Sequence, residues 1–139
     1  MVALLGANGS GKSTLSKIIT GVVVPNEGQL HLDGRPVAFN SPQYARRHGI
    51  AAVYQELSLI PDLTVAENIW LTHEPMTLGR VNRREMRAQT RGLLDLFAGT
   101  YRASLEPDVP VKTLSPDERQ IVEILKALSF EPRLIILDE

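Results

Sequence analysis

The chain has 139 residues, room for one domain or part of a larger one. Its 15 Lys and Arg against 16 Asp and Glu leave a formal net charge of −1, which argues against a generally basic surface that holds nucleic acid by phosphate neutralisation. Cysteine is absent, which excludes disulfides, thiolate metal sites and cysteine nucleophiles, and no apolar run reaches the roughly 18 residues of a membrane span.

Val2 to Leu5 is a short apolar run leading into glycines, and it reads as a buried strand feeding a turn. It is too short, and lacks the basic start, for a signal peptide, so a cytoplasmic chain is expected. A helix follows over about 11–20 with Leu15, Ile18 and Ile19 on its apolar side and Gly21 placed for a left-handed cap. Leu30-His31-Leu32-Asp33-Gly34 reads as a strand entering a hairpin turn. Ser41-Pro42 opens a short helix that Gly49 ends, and Ile50 to Tyr54 is a further apolar strand. Three later helices start with a capping residue and a glutamate three positions on: Thr64 with Glu67, Asn82 with Glu85, Ser115 with Glu118. The second of these shows Met86, Thr90, Leu93, Leu94 and Phe97 on one face, the third Ile121, Ile124, Leu125 and Leu128. The arginines between Pro75 and Arg91 read as a solvated helix face. Leu134 to Leu137 is a β-favouring run that ends in Asp138-Glu139. The expected fold class is α/β.

Gly6-Ala7-Asn8-Gly9-Ser10-Gly11-Lys12-Ser13 fits G-x-x-x-x-G-K-[ST], the phosphate-binding loop pattern. Glycines let successive backbone N–H groups converge on phosphate oxygens, and the following helix points its positive end at the same anion. Lys12 would reach the β- and γ-phosphates, and the Ser13 hydroxyl would ligate Mg²⁺. At average residue frequencies the four fixed positions recur in about one of 200 chains of this length. The place between an apolar run and a helix narrows that further, so nucleotide binding is expected. Asp138 sits where a buried strand would deliver a carboxylate to the ligand-collecting edge of an open α/β sheet. From there it could hold Mg²⁺, and Glu139 could orient or deprotonate a water.

Between these elements, Ala52-Val53-Tyr54-Gln55-Glu56-Leu57 and Leu59-Ile60-Pro61-Asp62-Leu63-Thr64-Val65-Ala66-Glu67-Asn68-Ile69 resemble the Q-loop region of ABC-transporter ATP-binding subunits. The likeness is to carbohydrate importers of the ribose, galactose and xylose type. Leu114-Ser115-Pro116-Asp117-Glu118-Arg119-Gln120 resembles their signature segment, and the likeness runs from Met1 to Glu139. It implies an incomplete ABC cassette: a P-loop core at about 1–62 and 130–139, with an inserted helical subdomain and signature helix at 63–129. The intact Gly-Lys-Ser-Thr at 11–14 is closest to the first of two cassettes. The resemblance implies that residues Gly6, Ala7, Asn8, Gly9, Ser10, Gly11, Lys12, Ser13 and Thr14 wrap the ATP phosphates. Ser13, Gln55 and Asp138 would serve Mg²⁺, and Glu139 and Gln55 would be the catalytic pair.

The implied activity is ATP hydrolysis powering sugar import. The implied partners are membrane subunits, a second cassette (fused or separate) and, indirectly, a periplasmic or extracellular sugar-binding protein, with no nucleic acid. The implied location is peripheral, at the cytoplasmic face of the plasma (inner) membrane. Two other readings stand beside this one, a soluble non-transport ABC-type ATPase and an inert nucleotide-binding fragment. The chain reads as truncated at both ends of a cassette, so the 139 residues alone are expected to be inactive. Pro116 and Asp117 depart from the small residues usual in the signature. Proline offers no N–H and an added carboxylate repels phosphate, so the same four residues, 115–118, read equally well as a plain helix start.

Overall fold

A computed structural model describes residues 2–54, 58–100 and 105–137. The chain divides into two compact units, Met1–Tyr54 with Pro132–Glu139, and Gln55–Glu131. The elements run α1 (Lys12–Ile19), β1 (Leu30–Leu32), β2 (Arg35–Val37), α2 (Pro42–Arg47) and β3 (Ile50–Val53). Then come α3 (Val65–Ile69), β4 (Met76–Thr77), β5 (Arg80–Val81), α4 (Arg83–Asp95), α5 (Pro116–Leu128) and β6 (Leu134–Leu137).

In the first unit, α1 ends where expected, with Gly21 following at φ 73°. Of the face read in the sequence, Ile18 and Ile19 are half-buried, Ile19 against the buried cluster, but Leu15 is not part of it. Leu15 is 41% exposed, while Ser16 and Thr20 are buried. Their hydroxyls donate one turn back, Ser16 Oγ to Lys12 O at 3.2 Å and Thr20 Oγ1 to Ser16 O at 2.8 Å, which offsets the cost of burying them. Strands β1 and β2 form the expected hairpin with Leu32 opposite Arg35. The turn residues Asp33 and Gly34 have φ 51° and 76°, the primed geometry that matches strand twist. Ser41 Oγ caps α2 by accepting from the Tyr44 N–H at 3.2 Å. Strands β3 and β6 pair in parallel, Ile50 opposite Leu134 and Val53 opposite Leu137. Phe39, Ala45 and Ile50 form the buried cluster of this unit.

Two strand expectations are corrected here. Val2 to Leu5 is irregular and open to solvent, Val2 at 97% and Leu5 at 90% exposure. Among the described residues no strand pairs with it, so neither a ladder nor a covering face holds it. Likewise β6 is half open, with Leu134 and Leu137 exposed. Pairing with β3 protects its backbone on one side, and only Ile136 packs against the buried cluster.

The second unit has the larger core, with Val65, Ile69, Leu94, Val111, Val122 and Leu125 at its centre. Thr64 and Ser115 make full capping boxes with Glu67 and Glu118. Asn82 makes half of one: it accepts from the Glu85 N–H at 3.0 Å, while the Glu85 carboxylate instead accepts from Gln89 Nε2 at 2.8 Å. The face of α4 is as expected, Met86, Thr90 and Leu94 being buried with Leu93 and Phe97 packed alongside. On α5 the buried centre is Val122 and Leu125, so the face is rotated from the one expected, and Ile121 and Leu128 flank it. Hairpin β4–β5, turning at Leu78 (φ 49°) and Gly79 (φ 75°), carried too little β pattern to be read in advance. Two of the arginines in this stretch are paired at the surface, Arg83 with Glu67 at 3.2 Å and Arg87 with Asp108 at 2.7 Å.

The Glu67 carboxylate is held below its ordinary pKa, chiefly by the Thr64 backbone N–H and further by the Thr64 hydroxyl and Arg83, against the opposing effect of burial. A lowered folded pKa adds stability above the unfolded value and loses it as pH falls through the folded one. Urea midpoints should therefore fall on acidification, and should fall less steeply in Glu67→Gln. An equal acid slope in both proteins would refute this role for the cap.

Candidate functional site

The loop at 6–13 turns tightly into α1. Gly11 takes φ 92°, a left-handed conformation that L side chains rarely adopt, and this bends the chain into α1. A Cβ on Gly6 would meet Ser10 Oγ at 2.5 Å and Ser10 Cβ at 3.2 Å, so the loop packs closely on itself there. Ser10 N–H bonds Ala7 O at 3.1 Å, forming the turn. Lys12 Nζ folds back over the loop and donates to Gly6 O at 2.7 Å and Ala7 O at 3.0 Å. The ammonium is thus held over the loop. Beside it a cavity of about 190 Å³ is lined by Leu4, Leu5, Ser10, Gly11, Lys12 and Leu15. Its lining sets three leucine side chains beside the cationic Lys12 and the loop.

The β3–β6 register sets Val53 beside Leu137, so the two strands end level with each other. Gln55, Asp138 and Glu139, expected just beyond those ends, lie outside the described residues. Tyr54, immediately before Gln55, is described: its hydroxyl lies 2.6 Å from Thr20 Oγ1 at the end of α1.

In the second unit Ser115 caps α5. Its Oγ accepts from the Glu118 N–H at 3.3 Å, and Glu118 Oε2 accepts from the Ser115 N–H at 2.9 Å. Pro116 stands in the first turn, where its missing N–H costs nothing, and Asp117 is exposed beside it. The helix-start reading of 115–118 therefore holds. Asp117→Gly removes a carboxylate from the positive end of α5 and adds backbone freedom, at about 1 kcal/mol of stability. Chemical denaturation checks this, and an unchanged midpoint would mean that Asp117 contributes nothing to the helix start.

Two features escaped the sequence reading. Asn68, fully buried, accepts from Ile60 N at 2.7 Å and donates to Ile60 O at 3.0 Å and Thr64 O at 3.0 Å. Glu123 and Lys126 on α5 both bond Ser58. The available signal for Glu123 was a single carboxylate inside the apolar run Ile121-Val122-Glu123-Ile124-Leu125.

A loop of this form on an α/β unit occurs in several nucleotide-binding lineages, so the whole sequence is needed to choose among them. The family profile described as ABC transporter matches residues 1–139. The chain belongs to the ABC transporter family. Among curated members it is 52% identical over 137 residues to a ribose import ATP-binding protein of Rhizobium etli. It is 46% identical over 140 residues to a putative ribose/galactose/methyl galactoside import ATP-binding protein of Pseudomonas fluorescens. These alignments cover 99% and 100% of this chain and 26% of each relative, so the chain spans about a quarter of their length. Among solved structures, cbiO1 from Clostridium perfringens, part of the ABC transporter complex cbiONQ, superposes with a TM-score of 0.73 at 29% identity. The match covers 97% of this chain and 52% of that one. An ATP-binding cassette solved as a dimer in a post-hydrolysis state with ADP and Pi also gives 0.73, at 26% identity, covering 96% and 57%. The fold of this ABC family member is therefore that of a P-loop cassette, with mixed helix and strand, of which it represents a part.

Proposed function

We propose that this chain is the nucleotide-binding portion of an ATPase subunit that powers sugar import. The observation that carries the reading is the loop at 6–13: left-handed Gly11, the close approach at Gly6 and the Lys12 ammonium folded over both. Residues Gly6 to Thr14 receive the phosphates of ATP. Mg²⁺, when bound, neutralises charge on the β- and γ-phosphates. Ser13, Gln55 and Asp138 are its protein partners, an all-oxygen set that suits Mg²⁺. Glu139 is the base or water-orienting group, and Gln55 acts beside it. Residues 63–129 serve as the helical subdomain that carries the signature segment.

The sugar-import names of relatives at 52% and 46% identity support the transport assignment. The partners are then membrane subunits, a second ATP-binding cassette and, through the membrane subunits, a sugar-binding protein. The place is peripheral, at the cytoplasmic face of the inner membrane. No helix among the described residues is long and apolar enough to cross a membrane.

Calorimetric titration of the intact protein with ATP and with AMP tests the nucleotide reading. AMP lacks the two phosphates that Lys12 and α1 would hold, so ATP should bind at least about 100-fold more tightly, roughly 2.7 kcal/mol. Equal affinities would remove the loop from the site. Sugar-stimulated ATP hydrolysis by the subunit assembled with its membrane partners tests the transport reading, and hydrolysis indifferent to every pentose and hexose tried would overturn it.

A further inference from the structure

The buried stripe of α1 is polar. Lys12, Ser16 and Thr20 stand one turn apart along the helix, and Ser16 and Thr20 are only 8% and 4% exposed. Ser16 Oγ donates to Lys12 O at 3.2 Å, and Thr20 Oγ1 donates to Ser16 O at 2.8 Å, with Lys17 O a second acceptor at 3.3 Å. Thr20 Oγ1 also lies 2.6 Å from the Tyr54 hydroxyl. Threonine has one hydroxyl hydrogen and the carbonyls claim it, so Tyr54 is the donor in that pair. Tyr54 directly follows β3, which is paired with β6. A line of hydroxyls thus runs from the strand pair along α1 to the backbone of Lys12, all of it within the first unit. For burial alone this is a poor use of the stripe. Valine has the shape of Thr20 and no hydroxyl to desolvate. The far end of the helix, moreover, has no anchor of its own kind: Gly11 is the N-cap, no side chain caps α1, and Gly9 and Gly11 before it are both left-handed.

We propose that Thr20 is a positioning residue: anchored on the Tyr54 hydroxyl, it fixes the rotation of α1 and thereby the place of Lys12 against the phosphates of ATP. The inference rests on the reading of the loop as the phosphate site given above. Thr20 lies eight residues from Lys12, about 12 Å at the helical rise, and the intervening turns are hydrogen-bonded throughout, so the two ends of α1 turn together. A rotation of about 20° carries a Cα, at a radius of about 2.3 Å, through roughly 0.8 Å, and the tip of a lysine side chain several times further. Displacements of that size are enough to spoil a placed charge. An apolar side chain at position 20 would pack equally well over a range of rotations, because dispersion contacts have no direction. A hydrogen bond at 2.6 Å to a residue carried by the strand pair selects one of them.

The test uses the intact protein, with calorimetry for binding and thermal denaturation as the check on folding. Thr20→Val keeps the shape and removes the hydroxyl, and should weaken ATP binding about fivefold. Inorganic tripolyphosphate should lose the same factor, because the line of hydroxyls ends at the phosphate loop. Thr20→Ser keeps the oxygen and should bind both within about twofold of wild type. The deciding measurement is a double-mutant cycle with Lys12→Ala. If Thr20 acts through Lys12, Thr20→Val should cost less than about twofold in ATP affinity once Lys12 is already alanine. Multiplying effects, an ATP affinity unchanged in Thr20→Val, or a loss for ATP that tripolyphosphate does not share would each overturn the proposal and leave Thr20 a stabilising contact only. Should Thr20→Val fail to fold, Tyr54→Phe removes the 2.6 Å bond from the other side, and the same cycle then decides. A wild-type protein that binds neither ATP nor tripolyphosphate would instead refute the phosphate-site reading on which the inference rests.

Discussion

Lys12→Ala should weaken ATP binding by about 100-fold in calorimetry on the intact protein while leaving thermal stability nearly unchanged. The two effects separate because of where the ammonium sits. Lys12 Nζ donates to Gly6 O and Ala7 O, both on an exposed loop, so water replaces those bonds at little cost in the free protein. With ATP bound, the same ammonium exchanges loop carbonyls for phosphate oxygens. A hydrogen bond to a charged partner contributes about 1.5–3 kcal/mol, and each 1.4 kcal/mol is tenfold in affinity. Equal affinity in wild type and variant would show that the loop is not the phosphate site. A lost transition in the variant, with affinity lost as well, would show that Lys12 acts by holding the loop rather than by meeting phosphate.

Asn68→Leu should be the most damaging single change in the second unit, lowering its stability by about 3 kcal/mol. The two side chains share the same branched skeleton, but leucine's methyl groups are bulkier than the amide, so overpacking adds to the loss of the polar contacts. Asn68 is fully buried and acts on Ile60 as a neighbouring strand would, accepting from its N–H at 2.7 Å and donating to its carbonyl at 3.0 Å. It also donates to Thr64 O at 3.0 Å, joining the loop that enters α3 to the first turn of that helix. Leucine leaves these backbone groups facing an apolar side chain, and the desolvation cost then falls on the folded state alone. Urea denaturation measures the effect. A loss below about 1 kcal/mol would mean that the loop relaxes outward and finds water instead.

The same physical distinction explains what could be read along the chain. Local patterns carried through to the structure. The N-caps at Ser41, Thr64 and Ser115 form as read, since each needs only a side-chain oxygen and an amide three residues away. The turn at Asp33-Gly34 and the left-handed Gly21 follow from residue type alone. The turn before α1 was equally legible in shape, since Gly9 and Gly11 take the left-handed φ that glycine allows.

Features that depend on distant partners were not determined in this way. Periodicity placed an apolar face on α5 but not its centre, which tertiary packing sets at Val122 and Leu125. Val2 to Leu5 has the composition of a buried strand and yet stays exposed, because a strand exists only when a neighbour takes its hydrogen bonds. The sequence by itself determined the capped helices, the tight hairpin turn and the glycine-shaped loop before α1, all of them short-range in origin. Only the tertiary structure decided which polar side chains go inside. Asn68 reaches Ile60 across eight residues, and Glu123 reaches Ser58 across 65. A buried amide or carboxylate is tolerable only where the fold brings its partners to it, and nothing local to the chain specifies that meeting.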